Sequence, residues 1–276
     1  MDILSLFIIS LLRNLTGILF AMSDVKTVAE FFFLSLTLGL WGFSIFITPT
    51  MTGGGFLKLI SSVCAGTTLC GLILRVITQG FQLPMSLFYL VSLLFFVWNF
   101  FNPKDERQFT EWLIYFSLTF GMIIQTYYFH QQDLKIFLFF MGSTLLLGSV
   151  VFSMLLGHWY LVVPKLSERP LINLTYFMWA ILTIKLCGAL IFIFKHPEFF
   201  ELGTNIAAGY SFNWMMLTMR VGWGYLVILV MSIFGYRLIK MRSIQSATGI
   251  LYAMTVFILG GELASSYLYY QFGMFI

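Results

Sequence analysis

IFLFFMGSTLLLGSVVFSMLLGHWYLVV, residues 136–163, holds no Asp, Glu, Lys or Arg. As a helix it is roughly 40 Å long at 1.5 Å per residue, more than the ~30 Å hydrocarbon core of a bilayer. A run of this length and apolarity reads as a membrane-spanning helix. Its polar residues are small ones, Ser and Thr, which return hydrogen bonds to their own backbone. Near its end stands one costly group, His158, followed by Trp159 and Tyr160.

The rest of the chain fits that reading. The 276 residues are 60% hydrophobic, 19% aromatic and only 9% charged. A water-soluble surface takes about 25% charged residues. The formal net charge of +4 lies in short loops and gives no nucleic-acid signal. The N-terminus, MDILSLF, lacks a basic region, so no cleavable secretory signal is expected.

Nine apolar stretches are long enough to cross, at about 3–22, 28–49, 56–79, 83–102, 109–130, 136–163, 171–195, 211–236 and 246–272. The first carries Arg13 and Asn14 at mid-depth, and eight spans remain if it lies in the interface. The loops TMTGGG, NPKDERQ, HQQDLK and PKLSERP leave no room for a soluble domain. Only KHPEFFELGTNIAAG could hold a small ordered element. The expected fold is all-α: residues 1–276 as one polytopic transmembrane helix bundle.

Loop charge orients it. Lys58, Lys104, Arg107, Lys165, Arg169, Arg237, Lys240 and Arg242 fall on one side, and Lys26, Lys135 and Lys195 on the other. The positive-inside bias sets the N-terminus inside and the C-terminus outside, in a bacterial-type cytoplasmic membrane. No internal repeat or matched pair of broken half-helices emerges, which weighs against an inverted-repeat transporter.

Ionisable residues inside spans are expensive and mark candidate sites. Lys185, Arg220 and Glu262 fall at similar depths on three consecutive spans, so a contact among them is expected. Polar stripes face each inward: Thr248, Thr255, Glu262 and Tyr269; Asn213, Leu217, Arg220 and Gly224; Cys64, Thr68, Gly71 and Arg75. Arg75 is expected to snorkel to the outer interface. Arg13, Arg75, Lys185 and Arg220 face one clear intramembrane acid, Glu262. This excess of cations asks either for a structural ion pair or for a ligand with oxygen acceptors: a quinone, a haem propionate or a lipid headgroup.

Three histidines, His130, His158 and His196, exclude a cytochrome b with two bis-histidine haems. One b-type haem could be held by His130 and His196, which close two spans on one side; solvated loop histidines are the plainer reading. His158 suits an interfacial aromatic cluster, a haem ligand, a proton relay to a quinone or, last, the catalytic base of an intramembrane enzyme acting on lipid. Cys64 and Cys70 face different ways and, with Cys187, form no metal-ligand spacing. No P-loop, GxGxxG, HExxH or GxSxG motif occurs.

The leading expectation is a membrane subunit of a respiratory-type electron-transfer complex. It would contact quinone or a single haem through Lys185, Arg220, Glu262, His158 and Arg75, with the lipid bilayer and other membrane or redox subunits as partners. It would not be catalytic alone. The alternative is a secondary transporter or channel for a small anion or proton-coupled solute. Blander still is a structural or assembly protein without a ligand.

Overall fold

A computed structural model describes residues 25–276 except 48, 82, 84, 103–108, 131–132, 164–165 and 207–208. The stretch 3–22, with Arg13 and Asn14, lies outside the described residues. So do Lys104, Arg107 and Lys165.

The described residues form helices and no strand. Besides one short turn at Pro49–Thr52, they are α1 (Val25–Phe46), α2 (Gly54–Gln79), α3 (Met85–Phe101), α4 (Phe109–Phe129), α5 (Leu134–Val162), α6 (Arg169–Lys195), α7 (Tyr210–Lys240) and α8 (Ile244–Phe272). Six of them, α1, α2, α5, α6, α7 and α8, are long and apolar enough to cross a membrane. The protein is therefore a multi-pass helical membrane protein. α3 is apolar but, at 17 residues, shorter. Among the loops, the segment after α6 holds a single 3-10 turn at Pro197–Phe199.

Sequence explains where helices begin and end. Asp133 caps α5 by accepting from the backbone N–H groups of Lys135 and Ile136 at 2.8 and 3.2 Å. Pro170 sits in the first turn of α6, where its missing N–H costs nothing. Gly273 ends α8 in the left-handed conformation, φ 69, and turns residues 274–276 back into the bundle, where Met274 and Ile276 are buried.

Short connections make sequence neighbours antiparallel. α8 packs against both α5 and α7, α6 lies on α5, and α3 lies on α2. α1 runs through the middle. It bonds α2 through Thr37 and Thr67, whose hydroxyls are 2.7 Å apart. It also meets α4, where the Tyr115 hydroxyl donates to the Gly42 carbonyl at 2.7 Å.

Because lipid is as apolar as leucine, close packing and interhelical hydrogen bonds hold such a bundle, at roughly 0.6 kcal/mol per bond. Small residues let backbones touch. A β-carbon on Gly148 would fall 2.5 Å from the Gly39 α-carbon, and one on Gly261 would fall 2.5 Å from the Gly224 α-carbon. Outward faces carry Ile184, Phe194, Leu94 and Val256, each largely exposed. That is a liability in water and an ordinary surface in hydrocarbon.

Candidate functional site

The polar stripes of α2 and α7 turn inward in full: Cys64, Thr68, Gly71 and Arg75 are buried, as are Asn213, Leu217, Arg220 and Gly224. On α8, Thr248, Thr255 and Glu262 are buried. Arg220 and Glu262 meet as an ion pair, Nη1 to Oε1, at 2.9 Å, with side chains 0% and 3% exposed. The approach is ionic rather than a well-aligned hydrogen bond, since neither Glu262 oxygen accepts one of good geometry.

Three further features fix the guanidinium. Its Nε donates to the Ile276 carbonyl at 3.1 Å, an oxygen that also accepts from the Ser265 hydroxyl at 2.5 Å. Its carbon lies 4.2 Å from the centre of the Tyr225 ring. Its backbone belongs to a π-helical segment, Thr218–Val227, inside α7. Such wide turns are rare and recur at functional sites. This one carries Gly222 and Gly224, and at Gly224 α7 comes into backbone contact with α8.

Lys185 is brought to the same cluster from α6. It is buried, and the charges of Glu262 and Arg220 act on it at longer range, with no ion pair within 4 Å joining it to Glu262 among the described residues. Its ammonium donates to the Ser143 hydroxyl and, at 3.5 Å, to the Phe139 carbonyl. It also lies over the Phe139 ring at 4.3 Å. Two cations thus stand near one side-chain carboxylate.

Lys185 forms the deep end of a cavity of about 680 Å³ between α5 and α6. Gly142 and Gly188 supply the room: a β-carbon on Gly188 would meet nothing within 4 Å, and the Lys185 stem lies along Gly142. Leu138, Phe139, Ile184 and Phe192 make the walls apolar, and Phe275 of the returning tail adds another. Lys135, Lys195 and His196 stand at its other end, Lys195 roughly 15 Å along α6 from Lys185. Among the described residues, no acid lines this cavity. Beside it, in the loop, Glu198 accepts from its own backbone amide and from His196 at 2.9 Å, which together hold its carboxyl below the usual range.

Arg75 departs from expectation. It does not snorkel; it is buried, 3.5 Å from the Glu30 carboxylate of α1. Glu30 is fully buried and accepts from the Tyr89 hydroxyl at 3.4 Å. Glu262 is therefore not the one acid inside the bundle. Glu30 stands only two residues into its apolar stretch, where an acid reads as a boundary residue. The signal that could have found it is its level, which matches that of Arg75 at the far end of the next span.

The histidines part company. His130 is buried, with Nδ1 at 2.7 Å from the Thr126 carbonyl and Nε2 at 3.3 Å from the Tyr270 hydroxyl. Both ring nitrogens thus have protein partners. His130 and His196 line different cavities. His158 is exposed and bonds the Tyr252 hydroxyl through Nδ1 at 2.8 Å. Its neighbours bind elsewhere: Trp159 Nε1 donates to the Thr52 carbonyl and the Tyr160 hydroxyl to the Ser167 carbonyl. His158 thus lies apart from the Lys185 cluster. Cys64 is buried, and Cys70 and Cys187 are exposed. No cluster of three or more His, Cys, Asp or Glu side chains occurs among the described residues.

The sequence matches no protein-family model, no curated protein and no solved structure.

Proposed function

We propose that this protein is a membrane subunit of a respiratory-type electron-transfer complex and holds a quinone in the cavity between α5 and α6. The observation that carries this reading is the buried Lys185 ammonium at the deep end of an apolar cavity of about 680 Å³. An apolar pocket with a few convergent polar groups is the usual form of a small-molecule site. A quinone has what this one lacks: a flat apolar body and carbonyl oxygens that accept hydrogen bonds.

In this reading Lys185 holds the head carbonyl, and Ser143 keeps the ammonium in place. Phe139 and Phe192 flank the ring. Glu262 sets an attractive charge near the Lys185 ammonium, and the like charge of Arg220 opposes it. Reduction of a quinone to a quinol takes two electrons and two protons, and a redox partner subunit supplies the electrons. The bundle lies in a bacterial-type cytoplasmic membrane with its N-terminal side inside.

The test is to extract the purified protein with organic solvent and assay quinone, then titrate a short-chain quinone against its tryptophan fluorescence. Wild type should retain or saturably bind quinone, and Lys185→Met should lose it. A protein that extracts empty and shows no saturable binding refutes the reading.

A second reading, proton-coupled transport of a small anion, is favoured by one feature. Arg220 and Glu262 pair across a π-helical segment and a glycine contact, the kind of element that can repack. Anion-dependent proton movement in liposomes is its test.

A further inference from the structure

Glu30 poses a problem that the Lys185 cavity does not answer. A structural ion pair inside a protein offsets its desolvation only when geometry is close and the remaining lone pairs are met. Charge-assisted bonds of that kind lie near 2.7–2.9 Å. Arg75 stands 3.5 Å from Glu30, and Tyr89 3.4 Å. Among the described residues, Glu30 Oε2 and Arg75 Nε have no hydrogen-bond partner although both are buried. The pair is loose and half-satisfied, and its free valence is a carboxylate oxygen.

A route leads toward that oxygen from one end of the bundle. The Thr126 carbonyl can only accept, so His130 carries its proton on Nδ1 and turns the Nε2 lone pair to Tyr270. Phe31, next to Glu30 on α1, packs edge-on against the His130 ring at 5.0 Å and against Phe140 at 4.6 Å, and Phe140 stacks on Tyr270 at 5.5 Å, so His130 and Tyr270 stand beside the Glu30 turn of α1. His130, Tyr269 and Tyr270 line a half-open cavity of about 350 Å³ beyond the start of α5. The charged and titratable groups facing Glu30 are thus Arg75 from α2, Tyr89 from α3 and Tyr270 from α8, with His130 behind Tyr270.

We propose that Glu30 is a proton-binding site of this bundle, loaded from the His130 cavity through Tyr270, with Arg75 as its counter-charge. A proton from water adds to His130 Nε2. It passes to the Tyr270 oxygen as the Tyr270 hydroxyl proton moves on, and Glu30 Oε2 becomes a hydroxyl. One proton enters, no bond between heavy atoms changes, and Arg75 keeps its charge but loses its counterion. The site lies on α1, α2 and α3, apart from Lys185, and does not depend on the quinone reading.

The test is infrared difference spectroscopy of the full chain in nanodiscs between alkaline and acidic buffer. Wild type should gain a protonated-carboxyl band that is absent from Glu30→Gln, shifted in Glu30→Asp and retained in Glu262→Gln. After a pH jump, Tyr270→Phe and His130→Ala should form the same band about tenfold more slowly or worse. A wild type without the band, or a band that survives in Glu30→Gln, overturns the site; unchanged rates in both relay variants overturn the route. Should Glu30→Gln fail to fold, Arg75→Gln decides: loss of the guanidinium should raise the midpoint of the band by about one pH unit or more, and an unmoved midpoint overturns the proposal.

Discussion

Gly39 of α1 and Gly148 of α5 meet backbone to backbone. A β-carbon on Gly39 would lie 2.7 Å from both the Gly148 α-carbon and the Thr144 carbonyl oxygen. No flexible side chain stands there to yield, so the helices themselves must part. Gly39→Ala or Gly148→Ala should destabilise by about 1–3 kcal/mol, the usual cost of overpacking. Gly66→Ala, where nothing lies within 4 Å, should gain a few tenths to about 1 kcal/mol from helix propensity. Thermal unfolding in detergent checks all three, and equal midpoints would contradict the contact.

Glu262→Gln leaves Arg220 charged, buried and without a counterion, and should cost about 3–5 kcal/mol. The double replacement Arg220→Met, Glu262→Leu removes both charges at similar volume and should recover much of that loss. Recovery will be partial, because the Ile276 backbone oxygen loses the Arg220 donor and the buried Lys185 loses its nearby acid. Denaturant unfolding of the four-member cycle measures the coupling, and additive losses would show that the two side chains do not act as a pair.

Gly188→Leu fills the α5–α6 cavity without touching a charge. A β-carbon there meets nothing, so the fold should tolerate the change while quinone binding weakens about tenfold or more. Fluorescence titration against wild type reads the difference. Unchanged affinity in a folded variant would move the ligand elsewhere.

His158→Ala removes one exposed hydrogen bond, to Tyr252, and should cost no more than about 1 kcal/mol. Neither quinone retention nor the visible spectrum should change. A colour present in wild type and lost in this variant would return a haem role to His158.

Arg242 follows α7 with φ 58, and its guanidinium stands 3.4 Å from Glu168 in an exposed pair. Relief of left-handed backbone is worth about 1–2 kcal/mol, and a solvated ion pair usually offsets less than that. Arg242→Gly should therefore be neutral or stabilising, the more so in high salt. The Glu168 carboxyl is held below its usual range, first by its own backbone amide and then by Arg242. Whatever that adds to stability is present above the ordinary value of 4.5 and is lost as pH falls through the lower one. Melting in acidic and neutral buffer should then show the advantage of the glycine variant widening toward acid.

Much of the fold could be read from the sequence because lipid solvent writes plainly: an unbroken apolar run such as 136–163 has one stable form in a bilayer. Depth arithmetic also brought Arg220 and Glu262 together, since helices of known rise joined by short loops leave little freedom. Three features escaped it. Arg75 has a stem long enough to snorkel, and only the buried partner on α1 shows why it does not. The π-helical segment at Arg220 escaped because the apolar run 211–236 reads the same whether its turns are regular or wide. The cavity is made by glycines, and a missing side chain looks the same in sequence whether a neighbouring helix fills the space, as at Gly148, or leaves it open, as at Gly188.

The turn at Gly273 has a mechanical consequence. Four residues, 273–276, join two places: Phe275 is a wall of the α5–α6 cavity, and the Ile276 oxygen holds Arg220. An occupant that displaces Phe275 must pull on the donor–acceptor link one residue further on, and a shift of α7 must tug on the wall. Occupancy and the electrostatics of Glu262 are thereby tied by a short strap of backbone, and neither can change without a strain felt by the other.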